Sequence, residues 1–438
     1  MPELKPGFIA NMRALLGEEA GAFFRALEEA PTLALRPHRG MEAAEPFIEG
    51  AVPWAAGGFY LRPGARPGAS VAHWAGAFYL QEASAMLPAA ALKARSGERV
   101  LDLCAAPGGK SSQIALSMGG EGVLVANEVD AARARVLAAN LERLGVTNAV
   151  VLNETPARLA ARWPESFDAV LVDAPCSGEG MFRRDPQSRE AWTDAAPRGC
   201  RKRQGEILEA AAKMVRPGGR LLYSTCTFNG EENEGSVADF LQAHADFAPE
   251  DFALPGLGAS RGGMLRIWPH RARGDGQFVA RLRKAGDSPL ESVPAQKADP
   301  AARALLDALH ATAVHALPAP LMRARLSGGR LFAVPARAPE TDGMRVLSSG
   351  TALLRVEKNR VEPEHALAMA LAPGGALRVA TLCEAEARAF LAGEALAREG
   401  EPGWTLATYA GLPLGWGKQS GETLKNHLPK GLRRALRA

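Results

Sequence analysis

RVLDLCAAPGGKSSQIALSMGGEGVLVANE, residues 99–128, decides the fold. An apolar β-rich run enters a tight loop of small residues, a helical stretch follows, and a second apolar run ends in an acid. Strand, loop, helix and strand in that order form a βαβ unit, and two strands joined by a helix pair in parallel. The alternation continues outward. Strands are expected at 99–104, 122–128, 149–154, 168–174 and 220–226, with helices near 110–118, 131–144 and 204–215. The expectation is a Rossmann-like α/β sheet of parallel strands. Such sheets bind ligands beyond the carboxyl ends of their strands, and the chemically informative residues fall at those ends.

The loop after the first strand is Cys104, Ala105, Ala106, Pro107, Gly108, Gly109 and Lys110. Its glycines let backbone approach a ligand closely. The spacing is neither GxGxxG nor GxxxxGK[ST], so hydride transfer and ATP hydrolysis are poorly supported. Glu128, at the end of the second strand, can accept hydrogen bonds from both ribose hydroxyls of an adenosine. Alone, a glycine loop is often only a turn and an acid after a strand is often a helix cap. In this order the two fit an adenosyl ligand without a phosphate tail, S-adenosylmethionine.

Length and composition set the surroundings. A chain of 438 residues implies two to four domains, and 47% hydrophobic with 23% charged residues suits a soluble globular protein. No signal-like apolar stretch opens the sequence and no run of about 18 apolar residues occurs, so a cytoplasmic location is expected. The cysteines are Cys104, Cys176, Cys200, Cys226 and Cys383, with no CxxC or HxxxH pair, which argues against a metal and against a disulfide framework. Cys200 and Cys383 read as incidental or packing residues. Net charge is only +4, but it is clustered. RGCRKRQ (198–204) is one basic run, and the last stretch, from Lys418 through Lys425, Lys430, Arg433, Arg434 and Arg437, holds a single acid, Glu422. Such patches suit a polyanion, usually nucleic acid; either one alone is equally well a solvated helix face.

The fourth strand delivers Asp173, Pro175 and Cys176, and the fifth delivers Ser224, Thr225 and Cys226. Neighbouring strands lie about 5 Å apart, so two thiols can share one pocket. Carbon 5 of cytosine is too weak a nucleophile to take a methyl group directly. Addition of a thiolate to carbon 6 moves electron density to carbon 5, which can then attack an activated methyl. One cysteine makes that bond and a second group helps break it. Asp173 can hydrogen-bond the ring edge as the adduct forms. Lys110 can favour an ionised thiol or orient Asp173, or it can simply face solvent from the start of its helix.

LDLCAAPGGKSSQIA, LVDAPCSGEGMFRRDP, YSTCTFNGEENE and RIWPHRARGDGQFVARL resemble the RNA cytosine-C5 methyltransferases of the RsmB/RsmF/Nop2/Sun family. GLPLGWGKQSGETLKNHLPKGLR resembles the PUA-like end of that family's RsmF (YebU) branch. The resemblance implies a class I S-adenosylmethionine methyltransferase core, a small N-terminal α/β module that contacts RNA, and C-terminal α+β modules including a PUA-like domain. It further implies that residues 104–110 line the cofactor site, that Glu128 holds the ribose and that Asp173 lies between cofactor and base. Cys226 would be the nucleophile and Cys176 would assist product release. Where the family carries an acid for the adenine amino group this chain has Thr155, with Glu154 beside it. The implied substrate is small-subunit (16S) ribosomal RNA, bound by a monomer. A tRNA cytosine-C5 methyltransferase would share the same core, and a ribosome-assembly factor that only binds RNA would keep the fold. A DNA cytosine methyltransferase would leave Cys226 without a task.

The expected modules are an N-terminal one at 1–70, the methyltransferase core at 71–285, a linker at 286–300, a small α+β module at 301–365 and the PUA-like domain at 366–438. In the first stretch Trp54, Phe59, Tyr60, Trp74, Phe78 and Tyr79 alternate with Arg62 and Arg66. Such aromatics can stack on unpaired bases, although core packing is the simpler reading for most of them.

Overall fold

The computed structural model describes residues 3–288, 300–318, 321, 323–357 and 360–434. Its centre is a sheet whose strands are β1 (Arg99–Asp102), β2 (Val123–Asn127), β3 (Ala149–Leu152), β4 (Phe167–Asp173), β5 (Val215–Thr225) and β6 (Gln277–Lys284). The helices between them are α1 (Gly109–Ser117), α2 (Ala131–Arg143), α3 (Pro156–Arg162), α4 (Ala196–Met214) and, after β5, α5 (Glu234–Ala243). The order across the sheet is β6, β5, β4, β1, β2, β3. β1 to β5 are parallel to their neighbours and β6 is antiparallel to β5. The chain leaves β1 towards β2 and β3, then returns to the other side for β4 and β5. The crevice above β1 and β4 is therefore the topological switch point where an open α/β sheet binds its ligand.

Period-two alternation builds both faces of this sheet. Val100, Leu124, Val151, Leu171 and Leu222 point to one side, where Ile114 of α1 and Leu137 and Leu141 of α2 cover them. Leu101, Val125, Val150, Val170 and Leu221 point to the other, under Leu159 of α3 and Ile207 and Leu208 of α4. With helices on both faces, successive side chains in the middle of the strands are buried, as in VLVA (123–126), AVVL (149–152) and AVLV (169–172). The sequence expectation matches all five parallel strands, but β5 starts at Val215, before the expected Arg220.

The N-terminal segment packs two helices, Pro6–Leu16 and Ala20–Glu28, and a four-stranded antiparallel sheet ordered Ile48–Ala51, Phe59–Leu61, Ala34–Pro37, Phe78–Leu80. The boundary expected at residue 70 falls inside this sheet, because the strand at 78–80 closes it. Trp54, Tyr60, Phe78 and Tyr79 are buried and serve as core rather than as platforms for bases.

Beyond the core, Ala324–Ser327, Arg330–Ala333, Thr351–Glu357 and Arg360–Pro363 form a second antiparallel sheet. The segment joining its second and third strands leaves the module and lays Val346–Ser348 antiparallel on β3. Asn153 N donates to Arg345 O at 2.9 Å, Arg158 to Gly343 O at 3.0 Å and Trp163 Nε1 to Glu340 O at 3.2 Å. The catalytic sheet thus takes its outer edge from residues some 200 positions downstream of β3. The PUA-like end is a five-stranded sheet with the helix Glu384–Ala392. Its Leu382, Phe390 and Leu414 share one apolar cluster with Leu35, Leu61 and Phe78 of the N-terminal sheet. Of the expected linker at 286–300, residues 289–299 lie outside the described residues, as does Arg437 of the basic end. Among the described residues, no helix is long and apolar enough to cross a membrane.

Candidate active site

The carboxyl ends of β1, β2, β4 and β5 gather the candidate residues. Gly108 has φ +108° and caps α1, and a Cβ there would stand 3.1 Å from Leu137 Cδ1. A Cβ on Gly109 would stand 3.0 Å from Tyr79 Cε1 and 3.3 Å from Gln81. Glycine at both positions answers a steric need, on the α2 side and on the N-terminal module's side respectively. The loop is tied down by Arg133 donating to Ala106 O at 2.9 Å and Asn140 donating to Pro107 O at 2.9 Å. Behind it, Asn127 donates to Leu103 O and Glu154 O and accepts from Glu154 N, stapling the ends of β1, β2 and β3. Cys104 packs against the apolar face under α3 and α4. Burial and then the neighbouring carboxylates of Asp102, Asp173 and Glu128 push its thiol well up, so it is a packing residue that stays protonated.

Glu128 is buried at the end of β2, accepts from Asp130 N at 3.0 Å and faces Arg133 at 3.4 Å. Asp102, at the end of β1, is fully buried; Ser111 Oγ donates to its Oδ2 at 2.7 Å while Oδ1 has no hydrogen-bond donor. A buried carboxylate oxygen without a donor is costly unless a ligand completes it. S-adenosylmethionine carries two cationic centres and a ribose diol, so an orphaned carboxylate oxygen, the Glu128 carboxylate and a glycine loop with no room for a Cβ fit it. Thr155 caps α3, its Oγ1 accepting from Arg158 N at 3.4 Å. Glu154 is buried and turned to the strap from the downstream module: Arg345 N donates to it at 2.9 Å and Arg158 stands 3.2 Å away.

Cys176 Sγ and Cys226 Sγ are 3.4 Å apart, within hydrogen-bond reach. Parallel pairing of Asp173 with Ser224 sets this spacing, since Cys176 follows Asp173 by three residues and Cys226 follows Ser224 by two. The hydrogen bond with Cys226, and then burial, push the Cys176 thiol well up. Beside the pair, Lys110 Nζ lies 2.7 Å from Asp173 Oδ2. Its solvent-facing reading fails, because only 15% of the side chain is exposed. Burial works to lower the Lys110 ammonium, and the charge and hydrogen bond of Asp173, with Cys226 adding, outweigh it and raise it. The other oxygen of Asp173 accepts from Ser224 Oγ at 3.0 Å and Gln277 Nε2 at 3.3 Å, and Gln277 also donates to Ser224 Oγ at 2.5 Å. Three donors thus fix the carboxylate plane.

Sequence reasoning did not single out the residues that hold the two cysteine loops together. Glu179, fully buried, accepts from Phe228 N at 2.8 Å, Asn229 N at 3.0 Å, Asn229 Nδ2 at 3.1 Å and Trp192 Nε1 at 3.2 Å. Glu232, also fully buried, accepts from Ser177 N at 3.0 Å, Gln204 Nε2 at 2.7 Å and Asn229 Nδ2 at 2.8 Å. Asn229 bridges the two acids, and Gly180 N donates to Cys226 O at 2.7 Å. The signal was present: both acids sit inside the cysteine motifs, SGEG and NGEEN.

Four family models cover most of the chain: the N-terminal domain of 16S rRNA methyltransferase RsmF at residues 4–83, 16S rRNA methyltransferase RsmB/F at 89–283, the RsmF rRNA methyltransferase first C-terminal domain at 312–371 and the methyltransferase RsmF PUA domain at 378–434. Ribosomal RNA small subunit methyltransferase F of Enterobacter sp. (strain 638) is 35% identical over 406 residues, covering 87% of this chain and 83% of that protein. The protein of the same name from Vibrio cholerae serotype O1 (strain M66-2) is 34% identical, covering 87% and 85%. A methyltransferase homolog protein from Pyrococcus horikoshii matches in three dimensions with TM-score 0.54 and 31% identity over 63% of this chain and 94% of that one. NSun6 from the same organism, solved with SFG, shares the fold with TM-score 0.55 at 22% identity, over 65% and 99% of the two chains. A glycine loop, a buried acid at the end of β2 and paired thiols meet at one switch point, in a chain most of which these models match: this is an S-adenosylmethionine-dependent methyltransferase that belongs to the 16S rRNA methyltransferase RsmB/F family, in its RsmF branch.

Proposed function

We propose that the protein methylates carbon 5 of cytidine in small-subunit ribosomal RNA, in the cytoplasm, with Cys226 as nucleophile and Cys176 as the residue that assists release. The observation that carries this reading is the 3.4 Å separation of the two thiols beside the Lys110–Asp173 pair. A single nucleophile needs no second thiol at that distance.

Bound S-adenosylmethionine supplies the electrophilic methyl group; residues 104–110, Glu128 and Asp102 would hold it, with Thr155 beside the adenine. The residues of the chain supply the rest. The Cys226 sulfur adds to carbon 6, and the electron pair of the ring double bond moves to carbon 5, which becomes able to accept the methyl. Asp173, held by Lys110, Ser224 and Gln277, meets the ring edge, accepts a hydrogen bond from its exocyclic amino group and holds the base against Cys226 as the adduct forms. Afterwards carbon 5 loses its proton to water, the ring double bond re-forms, and the carbon–sulfur electron pair returns to Cys226. Cys176 faces that departing sulfur with its S–H. The exposed Lys418, Lys425 and Lys430, with the basic face of α4, give phosphate contacts that position the RNA.

The test replaces Cys226 and Cys176 separately with alanine, using radiolabelled cofactor and small-subunit rRNA, with tRNA in a parallel arm. Cys226→Ala should abolish transfer with no trapped complex. Cys176→Ala should accumulate a covalent protein–RNA adduct. The reverse pattern overturns the roles, labelling of tRNA alone overturns the substrate, and wild-type protein that binds rRNA without labelling it supports an assembly factor instead.

A further inference from the structure

Glu232 is a buried carboxylate with no lysine or arginine in salt-bridge range among the described residues. Its partners are neutral. Ser177 N, the amide next to Cys176, donates to both of its oxygens at 3.3 and 3.0 Å. Gln204 Nε2 donates to it at 2.7 Å and also to Pro175 O at 3.1 Å, on the other side of Cys176. The acid is thus stapled to the loop on both flanks of this cysteine, and its charge is left uncompensated. The two thiols have different neighbours. On the Cys226 side lies the Lys110–Asp173 ion pair, whose ammonium is raised by Asp173 and, less, by Cys226; on the Cys176 side lies Glu232, whose charge adds to the rise that the Cys226 hydrogen bond and burial give the Cys176 thiol.

We propose that Glu232 is a positioning residue that keeps the proton of the thiol pair on Cys176, leaving Cys226 free to attack as the thiolate. The proposal rests on the assignment of Cys226 as nucleophile. A negative charge beside one of two hydrogen-bonded thiols disfavours ionisation there, and a cation on the other side favours it there. The protonated Cys176 cannot compete for carbon 6. When the adduct collapses, the carbon–sulfur pair moves onto the Cys226 sulfur, and the S–H of Cys176 is already aimed at it. The titratable groups around the pair are Lys110 and Asp173 on the Cys226 side, and Glu232, Cys200 and Tyr223 on the Cys176 side.

Substoichiometric iodoacetamide, followed by peptide mapping, reads which thiol ionises, without any need for turnover. The full-length wild type should be alkylated at Cys226 ahead of Cys176, with the exposed Cys383 as internal standard. Glu232→Gln keeps the shape and removes the charge; the Cys176 to Cys226 labelling ratio should rise about tenfold, the effect of one pKa unit. Glu232→Asp should keep the wild-type ratio. If Glu232→Gln does not fold, Gln204→Lys neutralises the same acid in place and should raise the ratio likewise. An unchanged ratio in a folded charge-removing variant, while Cys226→Ala is inactive, overturns the role of Glu232. Methylation by Cys226→Ala overturns instead the nucleophile assignment beneath it.

Discussion

Asp102 should make the apoprotein less stable at neutral pH than it is in acid. Burial holds this carboxyl up near about 7, with Asp173 and Glu128 adding and with Ser111 and Lys110 opposing. The folded chain therefore binds the proton more tightly than the unfolded chain, where the group titrates near 3.8. The stability the proton confers is fully present below about 3.8 and is lost as pH rises through about 7. About three pH units at about 1.4 kcal/mol each amount to about 4 kcal/mol. Asp102→Asn has no charge to bury, so relative to wild type it should gain up to about 4 kcal/mol between pH 4 and pH 8 in the absence of cofactor. Urea unfolding of both proteins at the two pH values measures the difference. A variant-minus-wild-type difference that stays constant across pH refutes the reasoning. Cofactor titration by calorimetry completes it: if Oδ1 waits for a cationic centre of S-adenosylmethionine, Asp102→Asn should weaken binding about tenfold or more, the worth of one charge-assisted hydrogen bond.

Three other outcomes are expected. Gly108→Ala places a Cβ at φ +108° and 3.1 Å from Leu137, strain of about 1–3 kcal/mol, and should lower cofactor affinity in calorimetry while Gly119→Ala, in open space, does not. Deleting residues 300–438 uncovers the β3 edge that Val346–Ser348 now pairs, so light scattering should find the truncated protein aggregated. Trp404, Lys418 and Lys425 form one row across the PUA-like sheet, with two lysines directly opposite each other. If that row meets phosphate, Lys418→Gln with Lys425→Gln should reduce the salt slope of rRNA binding by about 2, measured by filter binding between 50 and 200 mM salt, and leave cofactor affinity unchanged.

The core was readable because its signals are local. Each strand carries a short apolar run, such as VLVA (123–126), AVVL (149–152) or AVLV (169–172), bounded by small or polar residues, and the loop 104–110 packs its small residues into seven positions. The flanking modules were harder to divide. Phe78–Leu80 belongs to the N-terminal sheet although it follows the break drawn at 70, and Val346–Ser348 belongs to the catalytic sheet although it lies inside a downstream module. Short strands of ordinary composition do not announce which sheet will accept them. At the site, the sequence alone leaves Lys110 equally a surface lysine or an active one, and the tertiary structure puts it 2.7 Å from Asp173. Glu179 and Glu232 stand inside the cysteine motifs SGEG and NGEEN, and an acid in a loop acquires meaning only when its donors are known.

By itself the sequence determined the order of β and α units, the switch-point loop, an acid at the end of the second strand and two thiols after consecutive strands, since hydrophobic period and turn chemistry act between near neighbours. The tertiary structure decided the rest: that β4 lies between β1 and β5, so that Cys176 and Cys226 meet at 3.4 Å; that Asn229 joins two buried acids behind them; and that a strand from residue 346 seals the β3 edge. Most of those contacts join residues tens to about two hundred positions apart. They are fixed by register, burial and the need to satisfy polar groups out of water, and none of these is set until the chain has packed.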